Sequence, residues 1–418
     1  MDTIKVGVIG VGRGQGFARG AGPLVGMELV ALCDTWEEKL NELGKELDVA
    51  TYTDYDKFLE HDMDAVILAN FFHEHAPFAV KALKADKHVM SETSACLTLG
   101  QGVELVETVE QTGKTYMFAE NYPYMLFNQE MRRLYQEGAI GQFMYGEGEY
   151  VHPGERDWAL RLKNSFKHWR NWFPRTYYCT HALAPIMFIT DTRPVSVNGF
   201  MMTRPDTPEF RQYNIQMGDL ASMIAVRMDN GAVAKLLQGG LQGHSVWVRI
   251  HGLTGQMENL RHGDHGMVRL TKHQFNETKT EPVESIYKPN WPVHGEEAQK
   301  AGHGGGDFFT TYHFAQAIRS GEPPYFDVYR GVAMSIVGVQ AYRSALDSAN
   351  NYELPDFRDP AMRDKYRDDD WSPNPETKRE SDPWPSVTGK VTPTPEAIAY
   401  ARKVWKEAGY PPVEDDIC

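Results

Sequence analysis

The chain has few cysteines, no long apolar run and no basic cluster, and each shortage narrows its function. Only four of its 418 residues are cysteine, at positions 33, 96, 179 and 418. They lie far apart with no CxxC spacing, so neither a zinc site nor a disulfide framework is expected, and the cytoplasm is the default compartment. Apolar stretches such as Ala65–Ala69 and Ile336–Val339 fall far below the ~18 residues that span a bilayer. The N-terminus, Met1-Asp2-Thr3-Ile4-Lys5-Val6, enters a strand pattern directly, without the basic and apolar regions of a secretory signal. Lys and Arg number 43 against 57 Asp and Glu, a formal charge of −14. Without clustered cations, neither nucleic acid nor an anionic membrane is expected as a partner.

What is present reads as an ordinary globular protein, 41% apolar and 24% charged. Residues 1–122 alternate strand and helix patterns. Strand character appears at Ile4–Ile9, Glu28–Cys33, Ala65–Leu68, His88–Met90 and Tyr116–Ala119. Helical patterns lie between, at Trp36–Leu47, Tyr55–Glu60, His75–Ala85 and Leu99–Thr112. This alternation predicts an α/β Rossmann domain built on a doubly wound parallel sheet. Residues 123–348 read differently. Strand runs follow one another from Phe143–His152 to Met267–Leu270, with a turn at Asp229-Asn230-Gly231, and helices return at Asp307–Ser320 and Gly331–Asp347. The pattern predicts an α+β domain with a large, open, mostly antiparallel sheet. Asp307 is the expected N-cap of its helix and Gly321 the stop. Residues 349–418 hold ten of the 24 prolines and a charge run at Arg363–Asp370. They read as an irregular extension with no core of its own, ending in a helix at Pro395–Ala408 behind Thr394. An open sheet face needs covering, which predicts a homodimer or homotetramer.

The sharpest local motif is Gly7-Val8-Ile9-Gly10-Val11-Gly12-Arg13-Gly14-Gln15-Gly16. Gly10 and Gly12 match the first two glycines of the dinucleotide fingerprint, which give a tight turn and close backbone approach to a pyrophosphate at a helix N-terminus. The third position is Gln15, flanked by Gly14 and Gly16, so a shifted helix start is expected. Asp34 ends the next strand, 22 residues after Gly12. A carboxylate there accepts hydrogen bonds from ribose hydroxyls and repels a 2′-phosphate, favouring NAD. A plain turn and a simple cap at Asp34 are the bland alternatives. His73-Glu74-His75 lacks the HExxH spacing, and no metal is expected. His262–His265 reads as surface.

With these residues in view, the sequence resembles the Gfo/Idh/MocA family of NAD(P)-dependent sugar enzymes over residues 3–345. The resemblance rests on the Gly10/Gly12 turn with Asp34, on Asp64–Leu68 leading to His75, and on Lys87–Glu92. It continues in Ala119-Glu120-Asn121-Tyr122, Thr180-His181 and Gly302–Asp307. The family's dehydrogenases carry Glu-Lys-Pro after the fifth strand. Here the run is Glu92-Thr93-Ser94, and threonine offers neither a cation nor a base near pH 7. That departure is shared by a branch similar to the NAD-dependent glycosidases, best known as α-N-acetylgalactosaminidases. The branch's motifs are matched by Glu120-Asn121, Glu147–His152, Tyr178–Pro185 and Gly302–Asp307.

The resemblance implies a sugar-active enzyme with tightly bound, recycled NAD and a small carbohydrate or glycoside substrate. The implied reaction is oxidation at C3, elimination across C1–C2, water addition and re-reduction, a net hydrolysis without the usual carboxylate pair. His181 is the first candidate for acid/base work because its ordinary pKa of ~6.5 suits neutral pH, with Tyr178 one helical turn away. Substrate contacts are expected from Glu120, Tyr150, His152, Trp169, Arg170 and His303. Trp158 and Trp172 are either further sugar platforms or core. Asn121 is expected at the carboxamide, and Arg13, Gly14, Gln15, Asn70, His75 and Glu92 complete the cofactor set. Two other readings stay open: a conventional sugar or cyclitol dehydrogenase or keto-sugar reductase, and a non-catalytic NAD-binding regulator.

Overall fold

A computed structural model describes residues 3–19, 22–273 and 283–410; Cys418 lies outside them. Strands β1 (Ile4–Ile9), β2 (Met27–Cys33), β3 (Ala50–Tyr52), β4 (Ala65–Leu68), β5 (His88–Ser91) and β6 (Tyr116–Phe118) form one parallel sheet in the order β3-β2-β1-β4-β5-β6. Its central strands read as continuous apolar runs because helices cover both faces. Helix Leu99–Thr112 shows how local chemistry sets the ends. The Thr98 hydroxyl accepts the Gln101 N–H at 3.2 Å, and Gly113 closes the helix at φ 65°. Strand β3 escapes the sequence reading because it is a three-residue edge strand, half-buried throughout. The strand order reverses between β1 and β4, and the loops leaving the carboxyl ends of these strands border a crevice, as open α/β sheets dictate.

The second sheet has nine strands: β7 (Phe143–Val151), β8 (Pro194–Met202), β9 (Ala221–Met228), β10 (Val233–Gly239), β11 (Val248–Gly252), β12 (Gly255–Asn259), β13 (Val268–Lys272), β14 (Val283–Tyr287) and β15 (Tyr352–Glu353). Their order is β14-β13-β12-β11-β7-β10-β9-β8-β15, and only the β7–β10 pair is parallel. The expected open, mostly antiparallel sheet is therefore present. β14 was not foreseen, because this edge strand is exposed over four consecutive residues and shows no alternation.

Two helices cross this sheet at backbone distance. On β7, a Cβ at Gly148 would stand 2.0 Å from the Ala182 carbonyl oxygen of helix Thr180–Thr190. On β8, Gly199 meets the Ala341 carbonyl of helix Val328–Leu346 at the same distance. Side chains alternate along a strand, so Gly146, Gly148, Tyr150 and His152 share one face. The two glycines admit the helix, and the Tyr and His beyond them reach its first turn.

Two helix starts differ from expectation. Helix Gly306–Ser320 is entered through Gly305 in the left-handed region, so Asp307 is not its N-cap; its carboxylate is turned toward Arg13 instead. Helix Val328–Leu346 begins three residues early because the Asp327 side chain accepts the Arg330 N–H. The C-terminal extension also holds more structure than its composition suggests. β15 pairs with β8, and Arg363 and Arg367 tie helix Pro360–Tyr366 to Glu110 and Glu107 of helix Leu99–Thr112. Helix Pro395–Glu407 starts at Thr394 as expected. Its Ala397, Ala401, Val404 and Trp405 form a small apolar cluster with Leu160, Phe166 and Ile215. The extension thus contributes a satellite core, where none was expected. Among the described residues no helix is long and apolar enough to cross a membrane.

Gly148→Ala is expected to lower the unfolding free energy by about 2–3 kcal/mol, since helix and strand must part to admit the methyl group. Urea denaturation of the two proteins checks this.

Candidate active site

The crevice is a cavity of about 1420 Å³ that runs from the glycine turn to the first turn of helix Thr180–Thr190. Gly10 sits at φ 95°, where a Cβ would lie 2.2 Å from the Ala69 carbonyl oxygen, so no other residue fits. A Cβ at Gly12 would meet nothing within 4 Å; this stretch of backbone is open to a ligand. Gly14 packs against the Gly10 carbonyl and Val8, with its virtual Cβ at 2.4 and 2.5 Å. The third fingerprint glycine, which brings helix and strand together, is therefore Gly14, one position early. Gln15 opens the helix, and its amide donates back to the Val11 carbonyl. Gly14 and Gln15, both expected at the cofactor, lie outside the cavity lining.

Gly10, Gly12, Arg13, Asp34, Asn70, His75, Glu92 and Asn121 do line the cavity. The Asp34 carboxylate accepts the Val11 and Trp36 N–H groups, each at 2.8 Å, so it both fixes the glycine turn and faces the site. His75 is buried, with Nδ1 2.9 Å from the Ser94 carbonyl and Nε2 3.3 Å from that of Asn70, and burial lowers its pKa. His73 packs its ring edge-on to Trp172. Among the described residues no group of three His, Cys, Asp or Glu side chains is placed to hold a metal. His262 and His265 are exposed.

His181 stands in the first turn of its helix, 7% exposed. Its Nδ1 lies 2.6 Å from Oε1 of Glu120, which is itself fully buried. The Tyr122 and Tyr150 rings each lie 4.6 Å from the imidazole, and Tyr178 meets it edge-on at 5.0 Å. A carboxylate accepts only, so Nδ1 carries the proton and Nε2 is the basic nitrogen. Among the described residues Nε2 has no hydrogen-bond partner, and His181 lines the cavity. Glu120, expected to touch substrate, lies outside the lining; its bonded oxygen holds His181.

Tyr150, His152, Trp169, Arg170, Tyr178 and His303 line the same cavity. Burial, with the neighbouring His244, lowers the His152 pKa to about 4. Trp169 stacks on Phe72 at 5.0 Å and carries the Arg170 guanidinium at 4.1 Å. Phe72 follows β4, so this stack joins the two sheets. Trp158 lines the cavity and is 48% exposed, whereas Trp172 is core.

One carboxylate gathers several of these groups. Asp307 accepts from Arg13 Nη2 at 2.6 Å, from Asn121 Nδ2 at 2.8 Å and from His303 Nδ1 at 3.0 Å. Arg13 also donates to Glu92 at 2.8 Å. Its guanidinium is thus committed to two carboxylates. The Gly302–Asp307 motif does not itself disclose the Arg13 partner. Phe72, Lys163, Arg175 and Arg204 are also in the lining, and nothing in their local sequence separates them from surface residues.

The comparisons with known proteins agree with this geometry. Residues 4–120 match the Gfo/Idh/MocA model, an oxidoreductase family with an NAD-binding Rossmann fold. Residues 161–364 match the C-terminal domain of glycosyl hydrolase 109. Residues 4–120 are thus similar to the Gfo/Idh/MocA oxidoreductases, and the chain is an NAD-dependent enzyme. A glycosyl hydrolase family 109 protein of Shewanella pealeana is 26% identical over 403 residues, covering 85% of this chain and 86% of that protein. One from Shewanella sp. strain ANA-3 is 25% identical, with 85% of each chain covered. Levoglucosan dehydrogenase in complex with NADH shares the fold at a TM-score of 0.72 and 19% identity, over 85% of this chain and 100% of its own. An oxidoreductase domain protein from Kribbella flavida does so at 0.70 and 20%, with the same coverage. NAD fits the residues present. The backbone at Gly12 is open to a pyrophosphate, and the buried Oδ1 atoms of Asn70 and Asn121 have no partner among the described residues.

Burial pushes the Asp307 carboxyl upward, but the hydrogen bonds from His303 and Arg13 more than offset it and hold it below the usual carboxylate range. Such a group stabilises the fold above its unfolded pKa of about 3.9 and loses that contribution as pH falls through the folded value. Asp307→Ala is expected to lose about 3 kcal/mol at pH 7, with the gap to the parent closing only in strongly acidic buffer. Urea unfolding at pH 7 and below pH 4 measures both.

Proposed function

We propose that the chain uses bound NAD at a sugar ring carbon, C3 in the carried-over mechanism, and that its net reaction is redox-neutral glycoside hydrolysis. The observation that supports this most is the buried Glu120–His181 pair opening on a cavity where Thr93, not a lysine, follows Glu92. NAD, when bound, supplies the hydride acceptor for oxidation and the donor for the closing reduction. Gly10 and Gly12 would approach its pyrophosphate, Asp34 its ribose, and Asn70 and Asn121 its amide. His181 Nε2 takes the proton of the reacting hydroxyl, and Glu120 stabilises the imidazolium that results. Burial raises the Tyr178 pKa, so its phenol stays protonated and donates to the sugar oxygen. Tyr150, His152, Trp169, Arg170 and His303 complete the sugar's surroundings. A ketone at C3 makes the C2 proton acidic; a base takes that proton as the C1 substituent leaves with its bonding pair and is protonated, and water then adds across C1–C2 of the unsaturated sugar.

A conventional dehydrogenase is the second reading, because the Glu120–His181 pair can serve as its base without the lysine. Turnover of a panel of 4-nitrophenyl glycosides in heavy water separates the two. Deuterium at C2 of the released sugar without accumulating NADH supports hydrolysis. Stoichiometric NADH without aglycone release supports the dehydrogenase, and NAD binding without any turnover supports a regulator. In the active case His181→Gln is expected to lower kcat by about 10²–10⁴ with NAD binding retained. Gly12→Ala is expected to weaken NAD binding by about tenfold, or ~1.4 kcal/mol, at unchanged stability.

We also propose a homodimer or homotetramer. The face of the nine-stranded sheet away from the crossing helices presents Glu147, paired with Lys235 and Arg249, and Glu149, paired with Arg261. Light scattering on a sizing column should give a twofold or fourfold multiple of the chain mass; a monomer would overturn this.

A further inference from the structure

One end of the cavity gathers cations in a chain of net charge −14. Lys163, Arg170, Arg175 and Arg204 all line it, and among the described residues none of the four forms an ion pair with a carboxylate. Lys163 is 6% exposed, and its ammonium has no hydrogen-bond partner in the described protein. Arg204 donates only to the carbonyls of Gly218 and Asp219, at 2.7 and 3.2 Å. Arg175 reaches the Asp219 carbonyl and Gln216 Oε1, both at 3.4 Å. Asp219 is the acid beside them, but its carboxylate is taken by the Ser386 hydroxyl at 2.7 Å and the Val387 N–H at 3.1 Å. The carboxylates of the lining itself are Asp34, Glu74 and Glu92, which follow strands of the parallel sheet, and Glu209, which is exposed.

Burying like charges together without a counter-charge is strongly unfavourable, so the fold maintains the cluster at the expense of its own stability. Burial and the neighbouring arginines push the Lys163 ammonium well below its usual range, and burial with Arg170 lowers Arg175 to about 10. An anion held between them reverses both effects. Guanidinium and ammonium groups converging from separate segments suit a carboxylate, sulfate or phosphate group. The cofactor's pyrophosphate is already provided for at the glycine turn of the other sheet.

We propose that this end of the cavity is an anion subsite, and that the saccharide taken by the enzyme carries an acidic group, a carboxylate or a sulfate or phosphate ester, held by Lys163, Arg175 and Arg204. The proposal rests on the sugar-active reading above and names the substrate class for it.

The test is calorimetric titration of the NAD-loaded full chain, at fixed ionic strength, with glucose, glucuronate, glucose 6-sulfate, glucose 6-phosphate and inorganic sulfate. At least one charged sugar is expected to bind about tenfold or more tightly than glucose and than inorganic sulfate, a gap of ~1.4 kcal/mol; the best of the three identifies the acid. Lys163→Met removes the buried amine and, among the described residues, no hydrogen bond or ion pair of it. It is expected to erase that gap, to leave NAD affinity unchanged, and to melt a few degrees higher than the parent. The proposal is overturned if no charged sugar exceeds glucose, if inorganic sulfate binds as tightly as the charged sugars, if the gap survives in Lys163→Met, or if that variant loses NAD. Failure of the parent chain to bind NAD while charged sugars still bind would overturn the parent reading and leave the anion subsite standing.

Discussion

The active cavity exists because one buried carboxylate holds its two walls together. Asp307 opens a helix of the second half of the chain, yet it receives Arg13 from the glycine turn of the first sheet and Asn121 from the end of that sheet's last strand. The contact with Arg13 spans 294 positions of sequence. It is charge-assisted on both sides and largely shielded from water, the condition under which an ion pair positions its surroundings most firmly. Through it the open backbone at Gly12, the amide of Asn121 and the ring of His303 share one reference point. The Phe72–Trp169 stack adds a second tie between the sheets, apolar where the first is ionic.

On that frame, the second wall brings His181 to the cavity by sparing side chains. Gly146 and Gly148 let a helix lie on β7 at backbone distance, which sets the height of its first turn. Tyr150 on the same strand face, and Tyr122 after β6, then close on the imidazole from two sides. Glu120 completes the arrangement from below. Its burial would be unfavourable without a partner, and His181 is that partner. The pair therefore orients the imidazole and gives one oxygen of a buried carboxylate its partner, while Oε2 has none among the described residues.

Much of this was legible in the residues. Continuous apolar strands between amphipathic helices gave away the parallel sheet, and Gly10, Gly12 and Asp34 its ligand-facing end. Tyr150, His152, Tyr178 and His181 were singled out by the motifs of the family the sequence resembles, and the structure brings all four to the cavity. Short edge strands could not be read, since β3 and β14 lack the alternation that burial of one face imposes. Glu120 was seen as a site residue, but its place behind His181 could not be read, because which side of a buried histidine meets a carboxylate depends on packing. The C-terminal extension misled for a similar reason. Its last helix was legible, but the apolar face of that helix becomes a core only against Leu160 and Phe166, more than two hundred residues away.

The sequence by itself determined the two sheet types, the cofactor turn with its single acidic partner, the missing lysine at Thr93 and the candidate base. The sheets and the turn follow from local patterns, because backbone geometry and side-chain period act over a few residues; the lysine's absence and the candidate base stand out only against the family the sequence resembles. Tertiary structure decided what those groups touch. It committed Arg13 to Glu92 and Asp307, moved the close-packing glycine from the fingerprint position to Gly14, and placed Glu120 behind the base. It also drew Lys163, Arg175 and Arg204 from three separate segments to one end of the cavity. The charge total of −14 concealed that cluster, because a net charge sums over the whole surface while a binding site depends on which charges the fold brings within a few ångströms.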